Sequence, residues 1–538
     1  METLPSASPP AGAETGHSGR LATSSLTFAA LIVAAGFLGS RLLGLLRSVI
    51  IAEAFGTRPE LDAYWVAFRL PDLVFQLLAG ATLASAFIPT FAGVRARHGD
   101  AASWRLASSV LNLVLMATII FAVAAFLLAP KLVPLLAPGL GEDTGREQEL
   151  QDLAVELTRI MLVSPVLFAI SGMFMGILNA RRHFLMPALA PMFYNVSIIV
   201  AALVSDDVRA LAVGVVVGAA LHLAIQLPDL RFAGMAYRLI ADWRDAAVRE
   251  VGALMAPRVL GLAATQVNFY FIGIFFASTL SAGAISGLSF AWLITMTPLG
   301  IVGMAISTAA FPTLAEQAAR QDVQFAATLR SALRLILFLS LPIGIGLAIL
   351  AKPLVVVLLQ RGAFGVESTD LTAQALMFYA PALFAHSGIE IVSRGFYATG
   401  DTRTPVSYAV TSMLVNLVLA AILVGPMELR GLALALSLAT SMEFLLLFFS
   451  LRRRIPLLVE ADLLDGIARM LVATAAMAIV VGGGLFVLVE VAGLSTGVGI
   501  DALVILVLCG GAGSLTYLGA AQALRLEETR ILVRRFWG

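Results

Sequence analysis

The chain is poor in the residues that most soluble chemistry needs. It has one cysteine, Cys509, in 538 residues, which excludes a disulfide framework and a cysteine-rich metal centre. Its five histidines are scattered, with no HExxH, so no metal site is expected. There is no Walker lysine motif, which argues against an ATP-driven pump, and no basic patch interleaved with aromatics for nucleic acid. Lysine and arginine (35) balance aspartate and glutamate (34), so no global charge draws it to a polyanion. Charged residues make up only 13%, about half the share usual in soluble domains. What fills the chain is apolar: 59% hydrophobic, at mean hydropathy +0.94. The expected class is an all-α polytopic membrane protein without a cofactor, and an ordinary soluble enzyme is excluded.

A membrane helix needs about 20 mainly apolar residues. Runs of that kind fall at about 28–51, 62–90, 106–129, 153–178, 187–205 and 208–229 in the first half. The second half has them at about 250–279, 284–312, 331–350, 371–396, 405–424 and 430–450, and two more follow at about 467–490 and 500–523. That is about 14 spans. Residues 1–25, rich in Pro, Ser, Ala and Gly, read as a disordered cytoplasmic tail. The expected organisation is then an N-terminal six-helix lobe over 26–230, a cytoplasmic linker over 231–249 and a C-terminal six-helix lobe over 250–450. Helices 13–14 occupy 467–523, and a basic cytoplasmic tail covers 524–538.

Orientation follows from loop charge. Arg95, Arg97, Arg105, Arg181, Arg182, Arg231, Arg238, Arg244, Arg249, Arg403 and the triplet Arg452-Arg453-Arg454 fall on one side. Glu142, Asp143, Glu147, Asp206, Asp207, Glu367 and Asp370 fall on the other. Cytoplasmic loops carry the basic excess, so both termini are expected in the cytoplasm. Four short similarities recur in order at a spacing of about 220 residues, among them Ala86-Phe87-Ile88-Pro89-Thr90 and Ala310-Phe311-Pro312-Thr313. They point to two parallel six-helix bundles, with helices 13–14 outside the duplication and a substrate cleft between the bundles.

Charges inside the apolar runs are the site candidates. Arg41 and Arg47 share an arc of about 120° with Ser40, Gly44 and Ser48, while leucines fill most of the rest of that helix. One reading lets both arginines snorkel to an interface. The other turns a basic face toward a cavity for an anion, where arginine's planar fork suits phosphate. Arg258, after Pro257, is either a second such arginine or a cytoplasmic anchor. Arg69 and Asp72 flank Pro71, and Arg69 either pairs with Asp62 or contacts substrate. Glu443, Glu390, Asn268 and Asn416 are the candidates for coupling to Na+ or H+, although intramembrane asparagines more often tie helices together.

Several of these strings resemble the lipid II flippase family MurJ/MviN, of the multidrug/oligosaccharidyl-lipid/polysaccharide exporter superfamily. They are Ser40-Arg41-Leu42-Leu43-Gly44-Leu45-Leu46-Arg47, Asp62-Ala63-Tyr64, Ala67-Phe68-Arg69-Leu70-Pro71-Asp72, Ala86-Phe87-Ile88-Pro89 and Gly395-Phe396-Tyr397-Ala398. The resemblance covers roughly residues 26–530. It implies 14 helices in two lobes with two extra helices. The substrate it implies is lipid II, an undecaprenyl-pyrophosphate-linked peptidoglycan precursor, moved from the inner to the outer leaflet by alternating access. Drive by membrane potential or a cation, a bacterial inner-membrane location, membrane lipids as surroundings and function as a monomer go with it. On this resemblance Arg41 and Arg47 attract the pyrophosphate, and Asp62 is an acidic position at the start of helix 2. Two departures stand out: Phe75 and Leu293 occupy places where the family often has a basic residue. The alternatives are a flippase for another polyprenyl-pyrophosphate-linked glycan, a cation-coupled multidrug exporter and a non-transporting scaffold.

Overall fold

In a computed structural model, the protein is described over residues 18–78, 81–181, 183–232, 234–255, 272–458 and 461–529. Arg258 and Asn268 lie outside the described residues. Every regular element among those residues is helical. The first half supplies α1 (Ser18–Phe55), α2 (Pro59–Leu78), α3 (Ala81–Leu136), α4 (Glu147–Met161), α5 (Val163–Ala180), α6 (Leu185–Val204), α7 (Val208–Ala224) and α8 (Leu227–Phe232). The second half begins with α9 (Gly273–Ala277), α10 (Ala284–Ile301), α11 (Gly303–Ala319), α12 (Gln324–Ile349) and α13 (Ala351–Leu359). It continues with α14 (Val366–Tyr379), α15 (Leu383–Ala398), α16 (Arg403–Arg454), α17 (Ala461–Phe486) and α18 (Gly499–Ala523). Ten helical stretches among the described residues are long and apolar enough to cross a membrane.

Local chemistry sets the ends. Glu147 and Glu149 occupy the first turn of α4, where the helix dipole favours negative charge, and Leu150, Leu153, Ala154, Leu157 and Met161 form its buried stripe. Asp207 caps α7 by accepting from the Arg209 amide at 2.9 Å. Two of the longest helices carry an internal break. Gly99 interrupts α3 at φ 79°, ψ −178°, and Glu428 interrupts α16 at φ 50°, ψ −128°.

Several boundaries differ from the sequence expectation, those at Leu162 and Ala380–Ala382 within the runs expected at 153–178 and 371–396 among them. Helix α1 already begins at Ser18, inside the stretch expected to be a tail, because residues 18–25 contain no proline to stop it. The run expected at 284–312 is two helices, α10 and α11, parted at Val302, whose N–H reaches back to the carbonyl of Pro298 at 2.8 Å. The expected linker has no regular structure over 235–242, and side chains of α3 hold it. Asn112 donates to the carbonyl of Ile240 at 2.7 Å and accepts from the Tyr237 hydroxyl at 2.8 Å, and the Ser108 hydroxyl accepts from the Arg238 amide at 3.0 Å.

Packing divides the molecule into cores of different reach. One core is shared by both halves: Ile51, Phe55, Leu61 and Val66 pack into one cluster with Ile285, Phe290, Val355, Phe364 and Leu432. It surrounds the turn at Gly56 between α1 and α2. A second core lies mainly in the first half, around Phe87, Phe91, Trp104, Met173 and Ile177, with Val248 and Val251 from the segment after it. A third joins the second half to α17 and α18, from Leu314 and Phe338 to Met470, Ile505 and Tyr517. Arg334 fastens that third core: its Nε donates to the Glu528 carboxylate at 2.5 Å, and its Nη1 pairs with Asp462.

Candidate functional site

Between the halves lies a cavity of about 320 Å³. Helices α1 and α2 contribute Arg47, Ser48, Trp65, Arg69 and Asp72; α10 contributes Ser289, Trp292, Leu293 and Met296. Both sets recur at helical spacing, so each helix turns one face to the same space. Arg47 comes within 6.0 Å of the Tyr194 ring centre, a cation–π approach that steadies the guanidinium. Arg41, two turns earlier on α1, reaches across to the second half. Its Nη2 lies 3.5 Å from the Met304 sulfur, and its guanidinium fills the space beside Gly300 where a Cβ would stand. Leu38, Leu42 and Leu46 are exposed on the opposite side of α1, as lipid-facing residues should be. All the cationic side chains lining this cavity, among the described residues, come from the first half.

Asp62 sits elsewhere. It is buried, and both carboxylate oxygens are taken by the start of α10. Oδ2 accepts from the Gly283 amide at 2.7 Å; Oδ1 accepts from the Ser286 amide at 2.7 Å and its hydroxyl at 2.5 Å. The first N–H groups of a helix have no partner within it, so an acceptor from another helix satisfies them and fixes the two helices together. This is a different partner from the substrate or Arg69 that the sequence suggested. More bonds tie the halves around the Gly56 turn. The hydroxyls of Thr57 and Ser368 are 2.8 Å apart, the Ala363 amide donates to the Glu53 carbonyl at 2.7 Å, and the Ala282 amide donates to Asp143 at 2.6 Å. Gly56, at φ 61°, leaves no room for a Cβ against the Ala363 carbonyl.

The departures at Phe75 and Leu293 have distinct surroundings. Phe75 packs on Phe168 at 5.0 Å, within an aromatic group that includes Tyr194 and His222. Leu293 is a cavity wall. The candidate ion residues are dispersed. Asn416 is buried on α16, and Glu443 is half-buried on the same helix. Glu390 lies 3.5 Å from Arg394, one turn on, and Arg394 also donates to the Thr308 hydroxyl at 3.0 Å. Arg394 escaped the sequence reading, although an arginine in the apolar run Ile389 to Phe396 was a visible signal. Outside the spans, Asp401 organises the turn before α16. Burial pushes its carboxyl up, but bonds from the Thr404 side chain and amide, from Arg454 and from the Arg403 amide outweigh it and hold the pKa at about 2.

Comparison with known proteins bears on what such a cavity does. The family model of the lipid II flippase MurJ matches residues 51–494. A protein of Rhizobium tropici named as a probable lipid II flippase MurJ is 31% identical over 457 residues, covering 83% of this chain and 85% of that protein. The lipid II flippase MurJ of Burkholderia cenocepacia is 32% identical over 438 residues, covering 79% and 84%. Among solved structures, a lipid II flippase MurJ in an inward closed conformation superposes with TM-score 0.76 at 22% identity, covering 94% of this chain and 99% of that one.

Proposed function

This chain belongs to the lipid II flippase MurJ family, and from that premise we propose that the cavity carries the lipid-linked peptidoglycan precursor from the cytoplasmic to the outer leaflet by alternating access. The protein is a transporter of the secondary type and not an enzyme. The observation that carries the reading is the pair Arg47 and Arg69 in a cavity between the halves, with Arg41 bridging beside it. A diphosphate brought out of water needs such donors, because an unpaired charge in hydrocarbon costs several kcal/mol. Arginine supplies two parallel N–H groups to phosphate oxygens without losing its own charge. Arg258 would add a cation from the second half.

The architecture we assign has fourteen spans. Of the ten long apolar stretches, the one holding Glu428 counts as two, and α1, α2 with the start of α3 up to the break at Gly99, and the segment at about 250–279 complete the number. The basic loops then face the cytoplasm together with both termini, and the Gly56 turn faces outward. In this frame the contacts around Asp62, Thr57 and Glu53 close the outer end, and the conformation is inward-facing. Transport follows if the halves rock so that this end parts while the cytoplasmic ends meet. The anion rides with the first half, which holds Arg41, Arg47 and Arg69. Drive comes from the membrane potential or from Na+ or H+; Glu443 and Glu390, with Asn416 and Asn268, are where coupling is to be sought.

Leaflet exchange of labelled lipid II in proteoliposomes tests the reading. Arg41→Ala and Arg47→Ala are expected to lower exchange at least tenfold while the variants remain folded and inserted. Unchanged exchange in both would remove the anion cavity from the account. Exchange of another polyprenyl-pyrophosphate glycan in place of lipid II would move the substrate and leave the mechanism.

A further inference from the structure

We infer that Trp65 and Trp292 form a saccharide platform in the cavity, so that the site reads the sugar joined to the diphosphate as well as the anion; this rests on the substrate reading above. The chain has only five tryptophans, and these two line the same cavity from opposite halves. Trp65 precedes Arg69 by one helical turn on α2, so its ring and that guanidinium share a face. A sugar bonded directly to a diphosphate occupies the place next to the charge.

Each ring is held. Trp65 meets Tyr64 at 5.4 Å and Phe290 at 6.2 Å, edge to face. Trp292 meets Tyr379 at 5.6 Å and His386 at 5.2 Å in the same way. Rings fixed in advance lose little freedom when a ligand settles on them. The electron-rich face of an indole attracts the slightly positive C–H groups on the flat side of a pyranose. The polar rim that a sugar also needs is present in Ser48, Ser289 and Asp72. A hydrocarbon tail would have no use for these groups. At about 320 Å³ the space suits the linkage and the first ring better than a whole glycopeptide. Leu293 and Met296 complete an uncharged wall on α10, so selectivity from the second half comes from shape and ring faces.

The test compares two ligands on the full chain in nanodiscs: lipid II, and undecaprenyl pyrophosphate without sugar. Trp65→Leu and Trp292→Leu keep apolar bulk and remove the indole. Each is expected to weaken lipid II about three- to tenfold and to leave undecaprenyl pyrophosphate within about twofold, with Trp292→Phe recovering part of the loss. Arg47→Ala is expected to weaken both ligands alike. Equal losses for both ligands in the tryptophan variants would overturn the platform, because the rings would then serve the tail or the fold. No loss for either ligand would overturn it too. Should the leucine variants melt early, the phenylalanine variants decide by the same two-ligand ratio. Wild-type protein that bound neither ligand would overturn the substrate reading itself, and the platform with it.

Discussion

The two ends of the molecule are built differently. Around Gly56 the halves share one core, in which Phe55 and Leu61 of the first half pack with Phe290 and Phe364 of the second. Away from that end the cores are mainly those of single halves: Phe87 and Trp104 in one, joined by Val248 and Val251, and Phe338 and Tyr517 in the other. Apart from Arg41, which reaches Met304, the polar contacts described above follow the same division. Asp62, Thr57 and Glu53 cross between halves, whereas Asn112, Asp401 and Arg334 bond within one half or to the final helices. At the joined end directional bonds, several of them to backbone groups, add to the shared apolar packing, and these bonds can be exchanged for water when the halves part. The separate cores are continuous apolar packing, and in the proposed transport cycle each would move as a body. A molecule that opens at one end and closes at the other needs both kinds of construction.

The sharpest way to break this contrast is Asp62→Ala. It leaves the first N–H groups of α10 without acceptors in a buried place, at a cost to the joined end of about 2–4 kcal/mol. The expected result is a population shifted toward parting at that end, read as a longer spin-label distance between positions 57 and 368, together with reduced lipid II exchange. An unchanged distance would mean the shared core alone holds the end. Gly56→Ala is the next test. A side chain there must adopt a left-handed φ and push on the Ala363 carbonyl, at about 1–3 kcal/mol. A lower Tm is expected, and the matching change at Gly482, which has open space around it, should leave Tm within about 1 °C.

The smallest effect belongs to Asp401, within one half. Its folded pKa of about 2 is below the ordinary 3.8, so its stabilising contribution is complete above the ordinary value and is lost as pH falls through the folded one. The difference in Tm between wild type and Asp401→Ala should therefore be flat from pH 7 to about 5 and shrink from about pH 4 toward 2. A difference that grew on acidification would contradict the bonding described for this turn.

The helices were legible because apolar runs and charged breaks follow directly from what a bilayer tolerates. The basic face of α1 was legible because Arg41, Arg47 and Ser48 are close enough in sequence for helical angle to relate them. Asp62 was visible as a residue and opaque as a role: its partners, Gly283 and Ser286, are more than 200 residues away, and no local pattern announces a cap supplied by another helix. Val302 was equally hidden, since Pro298 marks a bend without saying whether the helix resumes. Trp65 and Trp292 read as ordinary apolar residues until the fold placed both on one cavity. The shared core could not be anticipated, because a hydrophobic run does not state which half it will pack against.

The central claim is that the joined end must part for substrate to cross. Thr57→Cys with Ser368→Cys, in a Cys509→Ala background, tests it directly, since the native hydroxyl oxygens are 2.8 Å apart and the introduced thiols would face each other across the joined end. Oxidised protein in liposomes should bind lipid II yet show no leaflet exchange, and reduction should restore exchange. Exchange that continued at the wild-type rate with the disulfide closed would contradict the account.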